Sequence, residues 1–497
     1  MAIIGEKIEL RVIQPEPPHK QEDLPGRVDL FAKAPWLARL VKLRSFPAML
    51  IIPNLIMFWI FLLAGIFGSP VGSRNIMIVF IWILWWFALI AVLVPFGSRL
   101  WCTMCPLPFF GDWVQRHAVV TVRKGNSAGT RNQLFGRLQV WPKKLSNIWA
   151  QNIGFLCLAS FSAHLVTRPM ATVIMLGSLI VIAAGLGILY RQRVFCNYVC
   201  PVSGFLSLYS MTSTLELRSR DKNVCKKCTT KSCAAGSDKG WACPWIIYMG
   251  QLERNNYCGM CMECVKSCPN DNISLFWRPF CSDKVLKGYD EIWKAFIMLV
   301  LAMSYSVVLL GPWGKLKDLA NVAEVGNWRG FFAYLSVLWF SALIALPAVY
   351  YVAIRLGRAL AARRMKAGQE GSIPSMKDLF IRYGYTLVPL GLMAWLAFSV
   401  PLIMVSWAYI VSVISDPMGR GWNLFGTANF PWSPYHPDWI GYIQIPLLMM
   451  GLYYALIRGH ELALKLWGDN RRAVLSLIPL AVLLTAITIA FMRMFTG

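Results

Sequence analysis

The 497-residue chain is 57% hydrophobic and only 15% charged, with a mean hydropathy of +0.51, which excludes an ordinary water-soluble globular fold. Its formal net charge of +25 would suit nucleic-acid binding, but the lysines and arginines are spread over loops between apolar stretches and read as membrane-topology signals. Fourteen cysteines, most in short Cys-x2-Cys or Cys-x3-Cys groups ending in proline, point to metal ligation in a reducing compartment rather than to disulfides.

The first 45 residues are polar and basic. They lack the apolar core of a cleavable signal peptide, so the amino terminus is expected inside. Nine apolar stretches follow, each near the length needed to cross about 30 Å of hydrocarbon. Four precede a polar, cysteine-rich insert: Ala48 to Phe67, Ile76 to Pro95, Ile148 to Leu165 and Met170 to Tyr190. Five come after it: Trp293 to Leu310, Phe331 to Ile354, Tyr383 to Val413, Ile440 to Ile457 and Val474 to Met492.

Orientation follows from the basic loops. Arg39, Lys42 and Arg44 precede the first stretch, and Arg116, Lys143 and Lys144 follow the second. Arg355, Arg358 and Arg363 follow the sixth, and Arg458, Lys465 and Arg471 the eighth. The seventh stretch is long for an upright span and holds Pro389 and Pro401; one tilted helix keeps the flanking basic loops on one side, where two spans would separate them. The expected fold is an all-α polytopic membrane protein of about nine transmembrane helices, amino terminus inside, with an inserted cytoplasmic bacterial-type ferredoxin domain for two [4Fe–4S] clusters. Its parts are a cytoplasmic segment (1–45), a four-helix membrane domain (46–215), the ferredoxin-like domain (216–282) and a five-helix membrane domain (283–497).

Two cysteine motifs stand at cytoplasmic helix ends. SRLWCTMCPLPFFGDW follows the second stretch and RQRVFCNYVCPVSGFLSLY the fourth, as if a two-helix unit were duplicated. Cys102, Cys105, Cys196 and Cys200 then share one depth. They could hold a third metal centre, form a redox-active dithiol, or be small buried residues.

The insert is more specific. Cys258, Cys261, Cys264 and Cys268 form the C-x2-C-x2-C-x3-C-P run of bacterial ferredoxins. Cys225, Cys228, Cys233 and Cys243 precede it with longer gaps and again end in Cys-Pro. Crossed ligation predicts one cluster on Cys225, Cys228, Cys233 and Cys268, and another on Cys258, Cys261, Cys264 and Cys243. The paired Cys-Pro endings weigh against a rival pair of zinc ribbons. Cys157 and Cys281 stand alone and read as core residues.

With these motifs the first 280 or so residues resemble the membrane-bound polyferredoxin family that includes NapH of periplasmic nitrate reduction and NosR of nitrous oxide reduction. The resemblance implies a quinol-linked electron donor to a periplasmic reductase, with its clusters on the cytoplasmic face. The chain departs from that family in its Cys102 motif, Cys-x2-Cys-Pro where Cys-x3-Cys-Pro is usual. It also departs in lacking a flavin-attachment sequence before the first helix, and in its five helices after the insert.

Transmembrane haem pairs are not expected, because of the five histidines (His19, His117, His164, His436 and His460) only His164 lies near a helix interior. That leaves a quinone, the four membrane-edge cysteines, or a partner's cofactor to bridge the membrane. His164 with Arg168, and His117 beside Asp112, are the quinone-site candidates. The aromatic loop from Asp416 to Trp439 reads as an interfacial belt or a docking face for a periplasmic cytochrome or reductase. The basic loops could steer an acidic soluble ferredoxin. The expected function is a membrane-bound iron–sulfur electron-transfer subunit of the bacterial inner membrane. It would relay electrons between the quinone pool or a cytoplasmic donor and a partner redox enzyme. The alternative is a polyferredoxin-type metal reductase or assembly factor.

Overall fold

The computed structural model describes residues 26–120, 122, 131–132, 136–283, 285–309, 314–363 and 373–496. The first 25 residues of the amino-terminal segment, His19 among them, lie outside these. The chain forms two compact units, one of Met1–Trp59, Leu93–Asn147 and Leu176–Asp283, the other of Ile60–Val92, Ile148–Met175 and Lys284–Gly497.

Among the described residues eight helices are long and apolar enough to cross a membrane: Ala48–Phe67, Ile76–Gly97, Pro169–Leu189, Tyr289–Leu309, Trp328–Ala362, Met376–Ser415, Pro437–Trp467 and Asn470–Phe495. The seventh predicted stretch lies within one continuous 40-residue helical run, Met376–Ser415. The third stretch differs from expectation. It forms a 12-residue helix, Trp149–Ser160, interrupted at Phe161 before a 6-residue helix, Ser162–Thr167. Its early polar residues face protein partners. Gln151 accepts a hydrogen bond from Lys294 Nζ (2.9 Å), and Asn152 donates to the Asp290 carbonyl (2.8 Å). Such groups would be costly against lipid.

The second unit is centred on Trp395, which is fully buried. Its indole donates to the Met298 carbonyl (3.0 Å), and Trp86, Tyr305 and Phe398 meet it edge-on at ring distances of 5.7, 5.3 and 5.8 Å. Edge-to-face packing of this kind adds to the burial of apolar area.

In the first unit, Leu215–Ser219 and Ile273–Trp277 pair antiparallel with Leu217 opposite Leu275. Closing this pair draws the two ends of the cysteine-rich insert together. Beyond the last rung, the Arg220 amide donates to the Asn272 carbonyl and the Asp221 amide to Asn272 Oδ1 (2.9 Å). The amino-terminal segment joins the same sheet, with Val28–Asp29 on the free edge of Ile273–Trp277. Beneath lies a buried ion network: Arg278 reaches Glu216 (3.0 Å) and Asp283 (2.5 Å), and Arg27 reaches Glu216 (2.8 Å). Every charge there has an opposite partner, which buried ions require.

Candidate metal centres

Thirteen of the fourteen cysteines lie in the first unit, and twelve of them fall in three sets. The membrane-edge set comes from the two repeated motifs. The helix Leu100–Met104 stops at Cys105 (φ −65°, ψ 129°), and the turn Phe195–Val199 stops at Cys200 (φ −61°, ψ 118°). The backbones match because each cysteine precedes a proline, whose ring drives the preceding residue out of the helical region. Cys105 lies within electrostatic reach of Cys102 and Cys196, and Cys200 of Cys102 and Cys105. The four therefore share one neighbourhood.

Two arginines clasp this set in a crossed fashion. Arg193, three residues before Cys196, donates to the Cys102 carbonyl (2.8 Å) and forks onto Asp112 Oδ2 through Nη2 (2.6 Å) and Nε (3.0 Å). Arg99, three residues before Cys102, donates to Ser203 Oγ (2.6 Å) and to the Asn256 carbonyl (2.5 Å) and lies 4.1 Å over the Trp245 ring. Each motif thus supplies a guanidinium to the other. The crossing is tight. A Cβ on Gly187 would fall 2.5 Å from Gly111 Cα, and Gln115 uses this closeness to donate to the Gly187 carbonyl (2.9 Å).

The middle set is Cys243, Cys258, Cys261 and Cys264. Met260 and Met262 adopt left-handed backbones (φ 57° and 63°) that coil the CGMCMEC loop so that its cysteines face inward. Cys243 senses Cys261 and Cys258, and Cys264 senses the other three. Gly259 is required here, since a Cβ would land 1.9 Å from Trp245 Nε1. That indole N–H is buried with no hydrogen-bond partner among the described residues. Buried Glu263 accepts from the Trp241 amide (2.9 Å) and Lys266 Nζ (2.9 Å).

The exposed set is Cys225, Cys228, Cys233 and Cys268, which line one cavity with Tyr248, Asn272 and Ile273. Cys268 comes to this cavity from the far end of the insert. The sets are linked in series: the Cys243 amide of the middle set donates to the carbonyl of Ala234, next to Cys233 (3.1 Å), and Thr103 Oγ1, next to Cys102, donates to the carbonyl of Gly259, next to Cys258 (2.9 Å).

The donor set suits iron–sulfur clusters. Backbone amides of Ser203, Met260 and Asn272 each point at a cysteine sulfur, Cys200, Cys258 and Cys268 respectively, at 3.4 Å. Asn272 Nδ2 points at Cys225 (3.3 Å). Amide donors of this kind stabilise thiolate ligands and tune cluster potentials. Burial pushes the thiols of Cys233 and Cys261 up to about 11 and that of Cys200 up to about 12, so thiolates in these sites call for cationic compensation. The orphaned Trp245 N–H offers a further donor toward the middle set. Among the described residues no three His, Cys, Asp or Glu side chains sit closely enough to hold a single ion.

The remaining candidates are dispersed. His164, half-buried, packs on Phe331 (ring distance 6.3 Å), and Arg168 is exposed at the end of the same short helix. His117 lies in the first unit, in the left-handed cap of Phe109–Arg116. The second unit also holds an almost wholly apolar cleft of about 550 Å³, bounded by Leu299, Met303, Val337 and Leu346, with Ser304 and Tyr334 among its lining residues; their hydroxyls are hydrogen-bonded to each other at 3.2 Å. Neither His164 nor Arg168 lines it. Cys281 is buried, as a core residue should be, but Cys157 is exposed on Trp149–Ser160: its helix turns that side outward, which corrects the core reading.

Eight membrane-length helices among the described residues and grouped cysteines with amide-to-sulfur hydrogen bonds define a multi-pass membrane iron–sulfur protein. The family described as a 4Fe-4S binding domain matches the chain twice, over residues 78–125 and 172–220. These segments hold Cys102, Cys105, Cys196 and Cys200 and end before Cys225; they fall on the two motifs read above as a repeat. Over 81 residues the chain is 32% identical to an uncharacterized protein of Methanocaldococcus jannaschii, a stretch that is 16% of this chain and 29% of that protein. The chain thus spans under a third of that relative's length. No solved structure matches it.

Proposed function

We propose that the chain is an electron-transfer subunit of the bacterial inner membrane in which the exposed, middle and membrane-edge cysteine sets form a one-electron relay. The single observation that carries this reading is the serial placement of three cysteine tetrads within one compact unit. A [4Fe–4S] cluster held at each would supply one-electron chemistry. The protein's own part is to bury the sulfurs, aim amides at them and fix their spacing. Eight of the ligands are Cys225, Cys228, Cys233 and Cys268, with Cys243, Cys258, Cys261 and Cys264. The third centre is on Cys102, Cys105, Cys196 and Cys200, which is where the family matches fall. Basic loops support a cytoplasmic position for the insert.

Electrons would pass between a cytoplasmic donor or the quinone pool and a partner redox enzyme. For a quinone, the cleft lined by Leu299, Met303, Val337 and Leu346 offers an apolar slot of a size that suits the ligand better than the dispersed His164, Arg168 or His117. Iron and acid-labile sulfide analysis of the purified protein, with electron paramagnetic resonance of the reduced form, tests the reading. About twelve irons and magnetically interacting centres are expected. Stoichiometric zinc with negligible iron would refute it.

A further inference from the structure

The three sets differ in how they meet solvent. All four cysteines of the middle set are buried, as are Cys102, Cys196 and Cys200 at the membrane edge. Cys105 is half-buried, one of the four in its set; in the exposed set Cys225 and Cys233 are buried and two of the four, Cys228 and Cys268, are half-buried, which makes it the most open of the three. An electron port must lie where a partner can come close, and this is the rim that allows it.

The same rim is strongly basic. From Asp221 to Cys233 the sequence carries four lysines against one aspartate. Lys226, Lys227 and Lys231 are exposed on either side of Cys228, and Lys231 Nζ stands 5.5 Å from the ring of Tyr248, a lining residue of the cavity. Of the acids nearby, exposed Asp238 has exposed Lys239 next to it in the sequence, and the others are engaged by groups other than these three lysines. Asp29 is engaged by Arg220 (2.8 Å), Asp271 by Lys42 (2.6 Å) and Glu253 by Lys222 (3.8 Å), while Asp221 caps its helix through the Asn223 amide. From residue 221 to residue 233 no large apolar side chain is exposed, the exposed apolar residues of this unit, such as Trp36, Leu43 and Trp277, lying in other segments of the sequence. A membrane-seated basic surface would pair its charge with apolar anchors, so this one suits a soluble partner.

We propose that Lys226, Lys227 and Lys231 form the docking surface for a soluble, acidic one-electron carrier that meets the chain at Cys228. This inference rests on the relay reading above. Long-range attraction raises encounter rates for such a partner and weakens as salt rises.

The test uses the full chain in nanodiscs, its iron content measured, and a purified acidic [2Fe–2S] ferredoxin as probe. Binding should weaken steeply between low and high salt. The K226E/K227E/K231E variant should lose about tenfold in affinity, the K226Q/K227Q/K231Q variant about threefold, both with iron content and paramagnetic signals retained. A K144E/K465E/R471E control should bind like the parent. Ferredoxin binding that ignores salt and both lysine variants overturns the inference, as does a reversal that shifts only the reduction potential. Loss of binding to anionic phosphatidylglycerol vesicles with ferredoxin binding unchanged would make the surface a lipid contact and equally overturn it. Absence of iron from the parent protein is a separate result, which removes the relay reading itself.

Discussion

Replacing Arg193 with methionine isolates the contribution of the crossed arginine clasp. The guanidinium makes two short contacts to Asp112 Oδ2, at 2.6 and 3.0 Å, and one to the Cys102 carbonyl at 2.8 Å. Arg193 is 4% exposed and Asp112 9%. Removing one member of a buried ion pair costs about 3–5 kcal/mol, because the other charge is left without compensation. Arg116 remains 3.5 Å from Asp112, so the lower end, about 3 kcal/mol, applies. Resistance to denaturant in detergent, followed by tryptophan fluorescence, should fall accordingly, with iron lost first from the membrane-edge set. Arg193→Lys should recover part of the loss, since it restores charge without the fork. Pairing Arg193→Met with Asp112→Leu should recover more, since both charges are then gone. A single variant as stable as the parent, or a double variant no better than the single, would refute the reasoning.

Other expectations follow from the same geometry. Burial alone would raise the Asp112 carboxyl, but Arg116 and Arg193 together hold it below its ordinary value. Its contribution is therefore full above a pH of about 4 and lost as pH falls through the depressed value; acid titration of unfolding should show that loss in the parent and not in the Asp112→Leu background. Gly259→Ala drives a methyl into the Trp245 indole, and should remove about four irons while circular dichroism stays unchanged. Trp395→Ala empties the centre of the second unit and should cost about 3–5 kcal/mol with iron content retained. Cys157→Ser, at an exposed position, should leave iron content unaltered, whereas Cys196→Ser should lower it.

The cysteine groupings were legible because local chemistry decides them. Proline after Cys105 and Cys200 dictates the backbone, and the insert's spacing leaves Cys268 to cross to the far set. Uniformly apolar stretches form single long helices as read, whereas the third is interrupted at Phe161, between Trp149–Ser160 and Ser162–Thr167. Hydropathy there registers Phe155 and Leu156 but not that Gln151 and Asn152 find Lys294 and Asp290. The clasp was half visible. The arginine three residues before each motif is plain in the sequence, but its partner lies 81 or 104 residues away, and nothing local marks that choice. The two-residue strand Val28–Asp29 is too short to announce itself by alternation.

The exchange of arginines between the repeated motifs bears on how such a chain can arise. Arg193 serves the Cys102 carbonyl directly, while Arg99 holds the Ser203 hydroxyl that in turn donates to the Cys196 carbonyl. Each motif's cysteine backbone is thus steadied by the arginine of the other, so a duplicated motif becomes bound to its copy. After that, neither copy can lose its arginine without disabling its sibling.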